Sequence, residues 1–257
     1  MAKNNLVKNF LINFDNEKNS NNKNIINDYI FSLYKEKINI KKIILTKSKI
    51  IDHLIKKSWQ KNNLKLKNIS LIAVGGYGRG ELFPYSDIDI LILINDYNDK
   101  ETLKNIENFI AEIWYFKTII GHSVRTNEDC IFAINNDVTI YTSLLESRLI
   151  IGDKNFYNNL KKDIDNKNIW TKKKFLLAKK QEKINRYKKY SNTGYLLEPN
   201  IKEGPGGFRD LQTLIWITKR NFNTNSLLDL FNNNIITKKE YADLVRSEKF
   251  LSKVRFL

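Results

Sequence analysis

Apolar residues recur at three- and four-residue intervals from Ile25 to about Leu64, with no glycine or proline among them. That spacing predicts one or two amphipathic helices. The period then changes. Leu71–Val74 and Ile88–Ile94 are short continuous apolar runs, separated by a turn carrying Gly75, Gly76, Gly78 and Gly80, and both read as strands. Leu103, Ile106, Phe109, Ile110 and Ile113 share one helical face, so Asp99 to Trp114 is a covering helix. Trp114 to Val124 is β-branched and aromatic, a third strand. Thr126 with Asp129 has the spacing of a capping box and starts another helix. Ile134 to Ile151 reads as helix closing at Gly152, and Trp170 to Tyr190 as a lysine-rich helix with Phe175, Leu176, Ala178 and Ile184 as its apolar share. Ser191 to Gly207 holds two of the three prolines together with Gly204, Gly206 and Gly207, which predicts an irregular loop. Helical spacing returns over Phe208–Arg220 and Ser226–Leu257.

These elements describe an α/β (α+β) chain. Residues 1–24, rich in Asn and Lys, read as a flexible arm, 25–152 as the domain that holds the strands, and 153–257 as a helical domain. Composition changes this picture little. The 257 residues are 42% apolar, enough for a real core. No apolar run approaches the roughly 18 residues of a spanning helix, and MAKNNLVKNF lacks the features of a secretory signal, so a cytoplasmic protein with no membrane partner is expected. One cysteine, Cys130, excludes an internal disulfide and reads as packing. His53 reads as helix filler. The charge of +16, from 44 Lys and Arg against 28 Asp and Glu, raises the question of nucleic acid. Lys, Asn and Ile swell the whole chain alike, as a base-composition bias would produce, and clustered arginine with aromatics is thin, which argues against a nucleic-acid surface.

The chemistry concentrates in Leu71–Ile94, LIAVGGYGRGELFPYSDIDILILI. Residues two apart on a strand share a face, so Asp87 and Asp89 project together while Ile88, Ile90 and Ile92 face the other way. Two acids at the entrance of a strand are either solvated or compensated by a cation, for which hard oxygen donors select Mg²⁺. The four glycines favour the second reading, because they let backbone N–H groups approach an anion such as a phosphate. Arg79 adds a charge contact and Ser86 a hydroxyl beside the acids. The turn is neither common phosphate signature: it lacks a Gly-Lys-Ser/Thr ending, and Glu81 stands where a dinucleotide fingerprint has its third glycine. A glycine turn that hands a triphosphate to carboxylate-bound metal fits nucleotidyl transfer.

At this point the residues carry a resemblance. Gly75-Gly76 followed after ten residues by Asp87-x-Asp89 resembles the signature of the DNA polymerase β nucleotidyltransferase superfamily. The longer string GGYGRGELFPYSDIDILIL, with GHSVRT at Gly121–Thr126, ESRLIIGD at Glu146–Asp153 and LEPNIKEGPGGFRDLQTLIW at Leu197–Trp216, resembles the protein-PII uridylyltransferase family over roughly residues 25–257. The resemblance implies a small mixed-sheet nucleotidyltransferase domain with flanking helices and a C-terminal helical domain. It implies transfer of UMP from UTP to a tyrosine of the PII signalling protein, with release of pyrophosphate. Asp87 and Asp89 would be catalytic metal ligands for Mg²⁺, and Gly75, Gly76, Arg79 and Ser86 would hold the nucleotide. Gly204, Gly206, Gly207, Arg209 and Asp210 would form a family-motif loop of the helical domain, and His122 at a strand end is a packing residue or a site residue, with packing favoured.

Two departures accompany it. Family members continue into a hydrolase domain that removes UMP and into ligand-sensing domains, whereas this sequence stops at Leu257, so the helical domain is expected to be truncated, without removal or sensing. Relatives also read Trp-Asp on the third strand where Trp114-Tyr115 stands here, which leaves the superfamily's third carboxylate unassigned, with Glu112 or Asp137 as substitutes. Two rivals follow: a degenerate remnant that binds nucleotide or partner without catalysis, and an RNA-directed nucleotidyltransferase, which the GPGGFRD motif disfavours.

Overall fold

The computed structural model describes residues 6–14, 22–114, 119–165, 169–190, 192–193, 197–222, 224 and 226–257. They fall into two compact units, Met1–Asp165 and Asn166–Leu257.

The first unit is built on a four-stranded mixed sheet of β1 (Ile69–Ala73), β2 (Ile88–Ile94), β3 (Ile120–Arg125) and β4 (Arg148–Gly152), in the order β3-β2-β1-β4. β1 runs antiparallel to β2, with Ala73 opposite Ile90, and antiparallel to β4. β2 and β3 are parallel, with Asp89 opposite Gly121. Every residue of β1 is buried, and so is every residue of β2 except Asp89. Strands that read as continuous Ile and Leu, without alternation, are covered on both faces. The helices of this unit are α1 (Leu6–Phe14), α2 (Asn22–Lys35), α3 (Ile40–Lys61), the single turn α4 (Gly75–Gly78), α5 (Lys100–Trp114), α6 (Asn127–Asn136), α7 (Val138–Leu145) and α8 (Lys154–Ile164). On α3, Ile43, Ile50, Leu54 and Ile55 face inward, and Trp59 meets Phe109 of α5 edge-on at 5.3 Å between ring centroids. Such a pair adds about 1 kcal/mol to the burial of its rings.

The mixed sheet and the helix over Asp99–Trp114 agree with the sequence reading, and the Thr126–Asp129 capping box forms with both of its hydrogen bonds. Three elements differ. Ile134–Ile151 is not one helix: Asp137 ends α6 and caps α7, accepting from the Thr139 and Ile140 amides, and Arg148–Gly152 is a strand. Its β-branched run satisfies the open edge of β1, a partner that helical periodicity cannot reveal. The stretch expected to be a loose arm contains α1, with Leu6 and Phe10 buried and the Tyr29 hydroxyl donating to the Leu6 carbonyl at 2.7 Å. The first unit also extends past Gly152, because α8 buries Leu160 and Ile164 and the Ser70 hydroxyl donates to the Asp153 carbonyl at 2.8 Å. The start of the expected third strand, Tyr115–Thr118, lies outside the described residues.

The second unit consists of α9 (Lys172–Lys189), α10 (Phe208–Phe222), α11 (Leu227–Asn232) and α12 (Lys238–Phe256). Trp216 of α10 meets two cations, Lys179 Nζ at 4.3 Å and the Arg209 guanidinium carbon at 5.4 Å from its ring centroid. Among the described residues no helix is long and apolar enough to cross a membrane.

Candidate active site

The apolar strand β2 presents its two acids on the face away from Ile88 and Ile90. Asp87 is exposed immediately before the strand, and Asp89 is half-buried within it. Three other elements close on Asp89. Gly121 lies opposite it on β3, and a Cβ built there would sit 2.5 Å from Asp89 Oδ1, so only hydrogen leaves the carboxylate its place. Gly75, at φ 56°, turns the chain back toward the acid, its Cβ position 3.8 Å from Asp89 Oδ2 and 3.6 Å from Ser143 Oγ of α7. The Val74 amide donates to the Asp89 carbonyl at 3.1 Å, which pins the turn to the strand. The glycine turn and the Asp89 carboxylate are thus one locus.

At the head of α4 the first intrahelical bond is Gly78 N–H to the Val74 carbonyl at 3.0 Å, and Val74 offers no side-chain cap. The amides of Gly75 and Gly76 stand ahead of that bond, where a helix has donors to spare. Ser86 lies in the turn before Asp87, its amide donating to the Phe83 carbonyl at 3.1 Å and its Oγ accepting from the Phe83 amide at 3.2 Å.

Arg79 takes a different position from a simple phosphate clamp. Its Nε donates to Glu81 at 2.7 Å and its Nη1 to Glu146, with the side chain only 20% exposed. Burial opposes its charge, but Glu81 and Glu146 outweigh burial and raise its pKa above the ordinary value. The guanidinium braces the turn from below, with Nη2 3.7 Å from the Cβ position of Gly76.

A second brace was not visible in the sequence. Tyr77 is fully buried and its hydroxyl donates to Asp52 at 2.6 Å, while Arg148 grips both oxygens of Asp52 at 2.7 and 2.8 Å and reaches Ser48 Oγ at 3.0 Å. Burial first, then Asp52, raises the Tyr77 pKa well above its usual value, so the phenol stays protonated as a donor. Asp52, Tyr77 and Arg148 stand 25 to 96 positions apart, and no local pattern links them.

Neither substitute for a third carboxylate joins the pair. Glu112 accepts from Lys61 at 2.8 Å and Asn62 at 2.6 Å, and Asp137 is the cap of α7. By register, the β3 residues on the Asp89 side are Gly121, Ser123 and Arg125. Among the described residues no three His, Cys, Asp or Glu side chains group to hold a metal. The donor set of Asp87 and Asp89 is two hard oxygens on one face, which suits a divalent cation that keeps several waters. His122, on the opposite face of β3, is exposed and edge-on to Trp114 at 5.8 Å. Cys130 is fully buried, and that burial pushes its thiol to about 12, consistent with packing.

In the second unit, Asp210 accepts from Arg186 Nη2 and the Tyr187 hydroxyl, each at 2.5 Å, and from the Gly206 amide at 2.8 Å. Arg209 is bound to Glu203 at 2.9 Å, and the Gly204 carbonyl accepts from the Gly207 amide at 2.9 Å. The loop expected from Gly204 to Asp210 is only partly a loop: Gly204, Gly206 and Gly207 precede α10, while Arg209 and Asp210 lie in its first turn, where Asp210 bonds back to the Gly206 amide.

Comparison with known proteins decides the family. The profile described as "Nucleotidyltransferase domain" matches residues 54–184, from α3 through the whole glycine turn and acid pair. The chain belongs to the nucleotidyltransferase domain family. This nucleotidyltransferase chain is also matched over residues 174–257 by the profile "GlnD PII-uridylyltransferase". It is 39% identical over 90% of its length to a bifunctional uridylyltransferase/uridylyl-removing enzyme of Hydrogenovibrio crunogenus, covering 26% of that protein. It is 44% identical over 74% of its length to the Nitrosococcus oceani enzyme of the same name, covering 21% of it, and 40% identical over 83% to that of Pasteurella multocida, covering 25%. The nucleotidyltransferase chain therefore spans about a quarter of the length of the curated relatives it matches.

Proposed function

We propose that this chain transfers UMP from UTP to a tyrosine hydroxyl of the PII signalling protein, in the cytoplasm and with Mg²⁺. The observation that carries the reading is the meeting of the Gly75 turn with the Asp89 carboxylate, in a chain matched by the GlnD PII-uridylyltransferase profile. In this reaction the acceptor tyrosine oxygen bonds to the α-phosphorus of UTP, the bond from that phosphorus to the bridging β-oxygen breaks, and pyrophosphate leaves. The tyrosine proton passes to solvent or to a nearby carboxylate.

Asp87 and Asp89 hold the Mg²⁺, whose chemistry when bound is to offset charge on the attacking and leaving oxygens. The amides of Gly75 and Gly76 and the hydroxyl of Ser86 orient the triphosphate. Arg79 acts through the turn that it braces, with Nη2 the part of it nearest Gly76. Gly204, Gly206 and Gly207 together with Arg209 and Asp210 of α10 shape the second unit. The assay is pyrophosphate release with UTP, Mg²⁺ and PII. Asp87→Asn abolishes it while the melting temperature stays; a variant with the wild-type rate refutes the metal assignment.

One observation favours a second reading, nucleotide binding without transfer: among the described residues β3 turns Gly121, Ser123 and Arg125, and no carboxylate, to the face of Asp89. Calorimetric titration with UTP and Mg²⁺ separates the two, because binding with no pyrophosphate release supports the second.

A further inference from the structure

We propose that Lys47 is a positioning residue for the acid pair: its ammonium, buried on α3, ties down the Phe83–Ser86 turn and so sets where β2 presents Asp87. The inference rests on reading Asp87 and Asp89 as the metal holders.

Lys47 is 4% exposed, and its Nζ donates to Asn27 Oδ1 at 3.1 Å, to the Phe83 carbonyl at 2.9 Å and to the Pro84 carbonyl at 2.5 Å. All three acceptors are neutral, and among the described residues no carboxylate pairs with this lysine. A buried ammonium without a counter-ion is a costly element to keep in a core. Costs of that kind concentrate where a function requires them. What the ammonium holds is the entrance to β2. The Phe83 carbonyl is a shared acceptor, taking Lys47 Nζ and also the amide of Ser86, the residue that adjoins Asp87. The Ser86 hydroxyl closes the same turn on the Phe83 amide. The path from the lysine to the exposed carboxylate is therefore two hydrogen bonds and one peptide.

The match between donors and acceptors depends on the proton. An ammonium has three N–H donors for these three oxygens, whereas a neutral amine has two and turns a lone pair on the third. Burial, then the charge of Lys23 on α2, lowers the Lys47 pKa to about 7. Among neighbouring elements, Arg148 of β4 is committed to Asp52 and Ser48 and Glu112 of α5 to Lys61, while Asp28 and Lys35 of α2, the element that carries Asn27, are exposed. The clamp is complete below neutrality and loses a strand of its grip above it.

The sign separates this role from mere support of the fold. Because the folded pKa is depressed, the unfolded chain binds more protons between about 7 and the ordinary 10.5, so raising pH through that range favours folding. Carboxylate ligands by themselves bind a cation equally well or better as pH rises. A fall in metal affinity over the same range has neither explanation.

The test is Mn²⁺ alone, titrated by paramagnetic resonance against wild type, Lys47→Met, Lys47→Arg and Asp87→Asn between pH 6 and 8.5, with a melting curve for each. Wild-type affinity should fall about tenfold across the range, the lower end of what supporting residues contribute to a metal site. Lys47→Arg, which stays charged, should show no alkaline fall, and Lys47→Met should bind weakly at every pH. Wild-type affinity that is flat or rises with pH overturns the proposal, as does an alkaline fall retained in Lys47→Arg. Should Lys47→Met melt too low to titrate, those two profiles decide. Asp87→Asn keeps the outcomes distinct: if it binds Mn²⁺ like wild type, the metal-site reading fails, and if it alone loses binding, only the role of Lys47 does.

Discussion

The chain carries two glycine-rich stretches followed by aspartate, one in each unit, and the structure treats them in opposite ways. In the first, glycines bring backbone up to the acids: Gly75 turns toward Asp89, Gly121 makes room for it, and Asp87 remains exposed. In the second, Asp210 in the first turn of α10 folds back on the glycine stretch, where Arg186, Tyr187 and the Gly206 amide all donate to it. Burial opposes ionisation of Asp210, but Tyr187, Arg186 and that amide prevail and hold its pKa below the usual carboxylate value. Glycine beside aspartate therefore does not mark a site by itself. The mark is whether the fold leaves the carboxylate facing outward or consumes it.

The contrast can be broken at either end. The largest effect belongs to Asp89→Asn, which should cut Mg²⁺-dependent pyrophosphate release at least about a thousandfold, roughly 4 kcal/mol of barrier, without moving the melting temperature. Gly121→Ala comes next. Its methyl group must displace a carboxylate oxygen now 2.5 Å away, so Mn²⁺ affinity should drop, by about tenfold or more; unchanged affinity would mean that Asp89 is not a ligand. Asp210→Asn should leave Mn²⁺ affinity alone and lower the denaturant stability of the second unit by about 2 kcal/mol, the cost of breaking a buried pair discounted for its partial exposure. The sign of its pH dependence follows from the depressed pKa. The contribution of Asp210 is present above the unfolded carboxylate value and fades as pH falls through the folded one, so acid should weaken wild type more than Asp210→Asn, in which Glu203 and Glu240 still titrate. Smallest is Cys130: with its thiol raised to about 12, iodoacetamide at pH 8 should leave it unmodified in the native protein, as mass spectrometry can read.

Much of the fold was legible. β2 begins and ends at Ile88 and Ile94 as its apolar run predicts, and the capping box at Thr126 forms as its spacing requires. These are local signals, settled within a few residues. The misreadings share one cause. β4 is a strand only because β1 has an open edge for it, and α1 is ordered only because Leu6 and Phe10 bury themselves, Phe10 meeting Tyr29 with ring centroids 5.0 Å apart. Both depend on partners far along the chain.

The same division runs through the site. The sequence by itself determined that the Gly75 turn and Asp89 would meet and that Asp87 would share the face of Asp89, because one glycine-rich connection joins two neighbouring strands and alternation puts both acids on one face. It also determined the family, through motifs whose order is written in the chain. Only the tertiary structure decided that Arg79 faces Glu81 and Glu146, that Asp52, Tyr77 and Arg148 brace the turn, that Gly121 stands against Asp89, and that Lys47 lies under Phe83 and Pro84. Each of those contacts joins separate segments, and a charged side chain has no preferred partner until packing removes water and leaves one oxygen within reach.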